Sequence, residues 1–410
     1  MARNEGLLSG VRIVEFSMLG PAAITTALAD LGADVIKVEP PQGDYVRRMT
    51  WPIVEGTSLM HLHVNRGKRS LTLDLRTEDG VALALDLIAA ADVVVEAMRP
   101  GGLARRGLTF ERMQEVNPRI VQCTISGYGM TGPYETLASH GIAYDAWAGI
   151  FEPEIDDHGH PSIPNHVSIG INAAPLFGGL GILAAVIRAR ETGTGCAMEI
   201  AQSDAAAAFD WYRSESFKAY ERPESEVTGN AADGYARRAP AIAGMRGGVR
   251  YQVYASTDGF VLFMASEQHF WKSFCAAVDR SDLFERWPGS EYGDHARGNL
   301  EMQAELPRIF AGRTTAEWVQ FGIDVDVPIA PVNTPQSMQH DPQFAARFSW
   351  IPKERLGADQ LPFPVVVEGQ EPLVPTKAPT VGEHTDAVLA DVLGLDAAAI
   401  AALRERGALG

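Results

Sequence analysis

Two stretches of the chain carry residue types suited to acid–base, covalent or metal chemistry. The first, HGIAYDAWAGIF, contains His140 and Asp145, a candidate base and a candidate acid. The second, DDHGH at 156–160, groups carboxylates and imidazoles that could ligate a metal ion. Its Gly and the following Pro161 favour a polar surface loop instead. Ser126, in CTISGYG, does not fit the GxSxG pattern of a hydrolase nucleophile.

Basic side chains concentrate between residues 68 and 106 of an acidic chain. The sequence has 35 Lys and Arg against 52 Asp and Glu, a formal net charge of −17. This surface repels nucleic acid and anionic lipid, so we expect neither a nucleic acid nor a membrane as partner. A polyanionic ligand would need a local basic cluster, in which Arg binds phosphate oxygens in pairs. The cluster comprises Lys68, Arg69, Arg76, Arg99, Arg105 and Arg106. A solvated face of surface arginines stays the alternative for each.

The segments around these residues alternate between strand and helix patterns. Strands are predicted at 11–16, 34–38, 70–75, 92–96 and 119–125, and helices at 21–31, 79–91, 173–190 and 203–220. Such alternation is typical of a parallel, Rossmann-like α/β layer. The first turn reads SMLGPAA rather than GxGxxG, so a nicotinamide dehydrogenase is not expected.

The length of 410 residues predicts two domains. Residues 1–220 and 327–410 form the predicted large domain, residues 221–249 a linker, and residues 250–326 a smaller α+β domain. Three widely spaced cysteines argue against a disulfide framework or a zinc site. No secretory signal is recognised, and no stretch approaches the roughly 18 apolar residues of a membrane span. We therefore expect a cytoplasmic protein.

Four groups of segments occur in the order and spacing of a known family. They are GVRIVEFSMLGPAAITTALADLGADVIKVEPPQGD (10–44); NRGKRSLTLDLRTEDG (65–80) with DVVVEAMRPGGLARRGL (92–108); NPRIVQCTISGYGMTGPY (117–134); and VPIAPVNT (327–334) with APTVGEHTDAVL (378–389). Over nearly its whole length the chain resembles the class III, formyl-CoA transferase-like CoA-transferases, a family that includes alpha-methylacyl-CoA racemase. The resemblance implies an interlocked-ring dimer whose active sites lie where two chains meet.

The resemblance also implies a CoA site without any further cofactor. Arg76 and Arg105 match positions that contact the CoA nucleotide, and Leu73 matches a contact to the adenine. The predicted CoA-binding set is Leu73, Arg76, Arg99 and Arg105. Two positions depart from the family pattern: Pro40 stands where relatives often carry Arg, and Ala138 where a Lys is expected.

The nucleophile position is the main departure. Family members attack the thioester with an Asp in an I-G-D segment, forming an acyl anhydride and then an aspartyl-CoA thioester. Here the segment reads SIGINAAPLFGGLGILAAV, and ten residues before Gly181 stands Ile171, which cannot be acylated. A second acidic position of the family is Gly141 in this chain. In the racemase branch a His beside that acid and the later Asp move the α-proton. His140 remains but its partner does not, so racemase chemistry is not expected.

Three hypotheses follow from this pattern. The first is a non-nucleophilic subunit of a heteromeric CoA-transferase, partnered with a homologous catalytic subunit. One such family member transfers CoA between succinyl-CoA and benzylsuccinate, which gives the expected substrate pair. The second is an active homodimer with a substitute acid, for which Asp145 is a weak candidate because it lies one helical turn beyond Gly141. The third is an acyl-CoA-binding protein without turnover.

Overall fold

The chain forms two compact units. The structure, a computed structural model, describes residues 6–231, 234–291 and 293–410. One unit contains the chain up to Asp210 and from Phe348 onward, and the other contains Trp211–Arg347. The domain limits predicted from the sequence, at 220, 250 and 326, differ from these limits and stay predictions.

Strand and helix bounds are as follows. The strands are β1 (Arg12–Phe16), β2 (Asp34–Glu39), β3 (Ile53–Val54), β4 (Thr57–Ser58), β5 (Lys68–Thr72), β6 (Val93–Glu96), β7 (Val121–Ser126), β8 (Glu154–Ile155), β9 (Pro161–Ser162), β10 (Ala197–Ala201), β11 (Tyr251–Ala255), β12 (Phe260–Met264) and β13 (Ile329–Pro331). The helices are α1 (Ala23–Asp30), α2 (Leu59–Val64), α3 (Glu78–Ala89), α4 (Phe110–Val116), α5 (Ile142–Trp147), α6 (Gly170–Thr192), α7 (Gln202–Phe209), α8 (Trp211–Ala219), α9 (Gln268–Ala277), α10 (Ser281–Arg286), α11 (Leu300–Phe310), α12 (Thr315–Val325), α13 (Pro335–Met338), α14 (Pro342–Arg347), α15 (Lys353–Leu356), α16 (Thr385–Leu393) and α17 (Ala397–Glu405).

A parallel sheet of six strands forms the centre of the first unit, in the order β10-β7-β6-β1-β2-β5. The chain adds β2 and β5 on one side of β1, and β6, β7 and β10 on the other. The strand order therefore reverses between β1 and β6. In open parallel sheets, ligands bind at the carboxyl ends of the two strands that flank such a reversal.

Helices cover both faces of this sheet, as a parallel sheet requires. On one face Val14 and Val94 pack with apolar residues of α3, α16 and α17. On the other face Ile13 and Val93 pack with α1 and α6, through Ile24 of α1 and several residues of α6. The predicted α/β class is confirmed, and the end of the chain contributes two helices to this core.

Helix α6 is the one described helix that is long and apolar enough, by length and composition, to cross a membrane. The sequence-based prediction that no stretch approaches a span is wrong on that measure, because residues 170–187 form an uncharged run rich in Ile, Leu and Ala. Its Ile182, Val186 and Ala189 pack into the core against β1 and β6. This is the placement of a core helix.

The second unit contains the antiparallel sheet β11-β12-β13. Aromatic side chains dominate its core, where Phe274, Phe310 and Trp318 contact one another. Because β13 pairs with β12 through Ile329–Pro331, the segment that the sequence assigned to the large domain enters this sheet.

Substituting Gly195 should destabilise the first unit. A Cβ at this position would lie 1.9 Å from the carbonyl oxygen of Ile120, just before β7. We expect Gly195→Ala to lower the free energy of unfolding by about 1–3 kcal/mol, measured by urea denaturation. The matched control is Gly179→Ala in α6, where a Cβ meets nothing within 4 Å. The free energy of unfolding of that variant should rise by about 0.5–1 kcal/mol, because Ala favours a helix more than Gly does. Equal effects of the two would contradict this packing.

Candidate active site

The two positions at which the resemblance expects acids lie beside each other. Gly141 precedes α5, and Ile171 is the second residue of α6. A Cβ built on Gly141 would lie 3.5 Å from Cγ2 of Ile171, an ordinary van der Waals distance, and meets nothing else within 4 Å. The structure therefore brings the two predicted positions together and leaves room for a side chain at residue 141.

Asp145 is fully buried, with 0% of its surface exposed, and its carboxylate caps the start of α6. Its Oδ1 accepts hydrogen bonds from the backbone N–H of Gly170 at 2.7 Å and of Ile169 at 3.1 Å. Helix N-termini leave such N–H groups without partners inside the helix and favour a negative charge. Asp145 is poorly placed to attack a thioester, because its side chain is buried and its oxygens already accept hydrogen bonds from the helix.

His166 completes this cap, and the sequence analysis missed it. Its Nε2 lies 3.3 Å from Oδ2 of Asp145, and its Nδ1 lies 3.1 Å from the carbonyl oxygen of Pro164. Each ring nitrogen thus has an oxygen partner within hydrogen-bond distance. The imidazole ring also packs against the ring of Phe151, with 4.6 Å between the two ring centroids. The pair fixes the segment that leads into α6.

Aromatic rings adjoin the start of α5. The ring of Tyr128 contacts those of Tyr134, Tyr144 and Trp147, with centroids 5.7, 5.6 and 6.4 Å away in edge-to-face arrangements. Tyr134 and Trp147 are about half exposed. Cβ of Tyr144 would lie 3.0 Å from a Cβ on Gly170, so this aromatic surface borders the start of α6. His140 lies exposed immediately before Gly141.

Of the predicted CoA contacts, Arg99 and Arg105 follow β6, at the carboxyl edge where the strand order reverses. Both side chains are exposed, and Nη1 of Arg105 donates to the carbonyl oxygen of Pro100 at 2.8 Å. This is the place at which a parallel sheet of this topology binds ligands. Their position fits the predicted role in CoA binding, which stays a prediction.

Arg76 and Leu73 lie elsewhere on that edge. They follow β5, three strand spacings or roughly 14 Å from β6. The guanidinium of Arg76 forms a bidentate pair with Asp74, at 2.9 and 2.7 Å, and these hydrogen bonds lower the pKa of Asp74 to about 2. Leu73 is 2% exposed and packs in the core. The predicted contact of Leu73 with the adenine stays a prediction.

Lys68 and Arg69 are not part of a surface cluster. Lys68 is buried and its Nζ lies 2.8 Å from Oε2 of Glu15, while Arg69 pairs with Asp34 at 2.7 Å. Their placement follows from β5, whose alternate residues point to opposite faces of the sheet. The basic cluster of the sequence therefore divides into ion-paired side chains and the exposed arginines after β6.

The DDHGH segment forms an exposed turn. Oδ1 of Asp156 accepts hydrogen bonds from the backbone N–H of His158 and His160, both at 2.8 Å. Within the described ranges of the chain, no group of three or more His, Cys, Asp or Glu could hold a metal ion.

Removing the cap of α6 should cost stability. We expect Asp145→Ala to lower the free energy of unfolding by about 2–4 kcal/mol, because the buried N–H groups and His166 would lose their acceptor. Asp157→Ala, at an exposed acid, is the control and should change stability by less than about 0.5 kcal/mol. Chemical denaturation measures both, and an unchanged midpoint for Asp145→Ala would contradict the capping role.

Comparison with known proteins identifies the family. Residues 8–385 match the model described as CoA-transferase family III. The chain is 30% identical over 414 residues to the succinate--glutarate CoA-transferase of Agrobacterium fabrum, covering 96% of this chain and 97% of that protein. It is 29% identical over 418 residues to the succinyl-CoA--L-malate CoA-transferase alpha subunit of Chloroflexus aurantiacus, covering 97% and 92%.

A solved structure agrees with this assignment. A CAIB/BAIF family protein from Brucella suis matches with a TM-score of 0.74 and 26% identity, covering 95% of this chain and all of that one. The resemblance inferred from the sequence motifs is thereby confirmed, and the chain belongs to CoA-transferase family III.

Proposed function

We propose that this chain is the non-nucleophilic subunit of a heteromeric CoA-transferase, which moves CoA between succinyl-CoA and a carboxylic acid such as benzylsuccinate. The observation that carries the proposal is Ile171, at the start of α6 and beside Gly141. A hydrocarbon side chain has no lone pair with which to attack a thioester. The nucleophilic carboxylate is then supplied by a homologous catalytic subunit.

The burial of Asp145 supports this proposal over an active homodimer with a substitute acid. Its carboxylate holds the backbone of Ile169 and Gly170 and contacts His166. A nucleophile needs an accessible lone pair aimed at the thioester carbon. Asp145 would have to break the α6 cap before it could react.

An exposed apolar stripe on α6 supports a partner chain. Leu176, Leu180 and Ile187 recur at helical spacing and are all exposed on a helix whose other side packs into the core. Contiguous exposed apolar surface marks interaction sites. A related subunit in an interlocked dimer is the occupant that we propose, and one relative is itself described as an alpha subunit.

The substrate pair has two lines of support. The names of both relatives include succinate or succinyl-CoA together with a second dicarboxylate. The half-exposed rings of Tyr134 and Trp147, which both contact Tyr128, suit an acceptor that carries a phenyl ring. We propose that the protein uses no cofactor beyond the CoA thioester itself. We also propose that it is located in the cytoplasm.

The first experiment assays CoA transfer from succinyl-CoA to a panel of dicarboxylic acids, benzylsuccinate among them. This chain is assayed alone and co-purified with the related chain encoded beside it. We expect turnover only in the mixture, and loss of that turnover when the partner's nucleophilic Asp is replaced by Asn.

Each other outcome has a distinct meaning. Turnover by this chain alone would refute the proposal, and its loss in Asp145→Asn would then identify a substitute acid. CoA binding by calorimetry without transfer in any mixture would favour an acyl-CoA-binding protein. Transfer in the mixture to aliphatic acids only would retain the subunit role and exclude the aromatic acceptor.

Restoring the carboxylate should restore chemistry to this chain. We expect Ile171→Asp to turn over succinyl-CoA at least about tenfold faster than the Ile171→Asn control, a barrier difference of ~1.4 kcal/mol. The two variants place groups of similar size at the second position of α6, and only Asp can form an anhydride. Equal rates would mean that this chain lacks more of the machinery than the nucleophile.

A further inference from the structure

The loop between β1 and α1, residues 17–22, lies at the edge of the sheet where ligands are expected to bind. It leaves the carboxyl end of β1, next to β6, where the strand order reverses. Ligands of such sheets contact the loops at this point. We call this segment the β1–α1 loop.

Two buried lysines hold the two ends of the β1–α1 loop. Nζ of Lys37, on β2, donates to the carbonyl oxygen of Ser17 at 2.7 Å. Nζ of Lys68, on β5, donates to the carbonyl oxygen of Ala22 at 2.8 Å. Both lysine side chains are 0% exposed. The loop therefore rests on ammonium groups that come from β2, which is next to β1, and from β5, which is one strand further away.

Two carboxylates join these lysines. Glu15 lies 2.8 Å from Nζ of Lys68 and accepts the hydroxyl groups of Ser17 and Thr25, each at 2.6 Å. Asp44 lies 3.1 Å from Nζ of Lys37, and its Oδ2 accepts the backbone N–H of Leu19 at 3.3 Å. The start, the middle and the end of the loop are thus each bound to a charged group.

The middle of the loop has a conformation that needs such support. Leu19 has φ 59° and ψ −143°, a backbone conformation that residues other than glycine rarely adopt. Strained backbone of this kind persists where its surroundings hold it, and it occurs preferentially at ligand sites. Buried charges are also expensive, and well-packed apolar residues would often give equal stability. We therefore attribute this network of buried charges to the need to hold the β1–α1 loop in place, rather than to a gain in the stability of the fold.

We propose that Lys68 is a positioning residue, whose ammonium group holds the β1–α1 loop in the shape that lines the acyl-CoA crevice between β1 and β6. The proposal rests on the proposed function only in naming acyl-CoA as the ligand. The arrangement of the loop itself can be measured without any substrate.

The protonation of Lys68 gives the proposal a pH dependence. Burial lowers the pKa of Lys68 from 10.5 to about 8, although Glu15 on β1 opposes the shift; Lys37 on β2 and Asp44 also face the group. Between these two values the unfolded chain binds more protons than the folded chain. Lys68 therefore makes the free energy of unfolding rise with pH between about 8 and 10.5. A loss of protection in the loop over this range would then report local loosening and not global unfolding.

Hydrogen–deuterium exchange tests the proposal on the full chain. At pH 7 we expect the amide hydrogens of residues 17–22 to exchange about tenfold faster in Lys68→Met than in the wild type, because charge-assisted hydrogen bonds to the loop are lost. Lys353→Met, at an exposed lysine of α15, is the matched control and should leave the peptide unchanged. The peptide covering β7 is the internal reference and should not change in either variant.

The wild type provides a second arm that needs no substitution. After correction for intrinsic exchange, protection of residues 17–22 should fall between pH 7 and pH 9, while Lys68→Met should show no such fall. A functional readout accompanies both arms: in the active mixture, Lys68→Met should raise the KM for the acyl-CoA about tenfold and change kcat by less than twofold.

The outcomes separate this proposal from the proposed function. Unchanged protection of the loop in Lys68→Met, or protection lost equally from β7, would overturn it. If Lys68→Met fails to fold, the pH series on the wild type decides, and a loop whose protection is constant from pH 7 to 9 refutes the proposal. Failure of the mixture to transfer CoA would count against the proposed function, and the exchange result would stand.

Discussion

A parallel sheet buries both of its faces, and this constraint determines where the site can lie. In this chain α3, α16 and α17 cover one face, while α1 and α6 cover the other. The end of the chain must return to the first unit to complete the first of these layers. With both faces covered, the carboxyl edge between β1 and β6 is where loops can meet a ligand. Arg99 and the β1–α1 loop lie at that edge because the strands before them end there.

Electrostatics at this edge are arranged through buried carboxylates rather than exposed ones. Asp145 meets the N–H groups at the start of α6, and Glu15 and Asp44 meet the lysines beneath the β1–α1 loop. In each case the acid fixes backbone geometry, and its oxygens are already used. These three acids are thus structural, and the two positions at which the resemblance expects acids hold Gly141 and Ile171.

Local patterns predicted the elements well where burial follows the sequence period. The runs around Val14 and Val94 were predicted as strands because they are apolar on both faces, and the sheet class followed from their alternation with helices. The single helix predicted at 203–220 is divided at Asp210, since the apolar pattern does not reveal where one compact unit ends. The proximity of Gly141 and Ile171 could be inferred from the resemblance alone. The partners of Lys68 and His166 could not, because these contacts join segments far apart in sequence.

The cap of α6 has a consequence for how such chains evolve. Asp145 accepts the N–H groups of Ile169 and Gly170, and His166 contacts that carboxylate, so the cap does not use the side chain of residue 171. A substitution at that position therefore leaves the hydrogen bonds of the cap in place. After a gene duplication, selection on stability would therefore not oppose the divergence of one copy into a chemically silent role. Under the proposed function, the residue one step into α6 is the character that separates such copies from active enzymes.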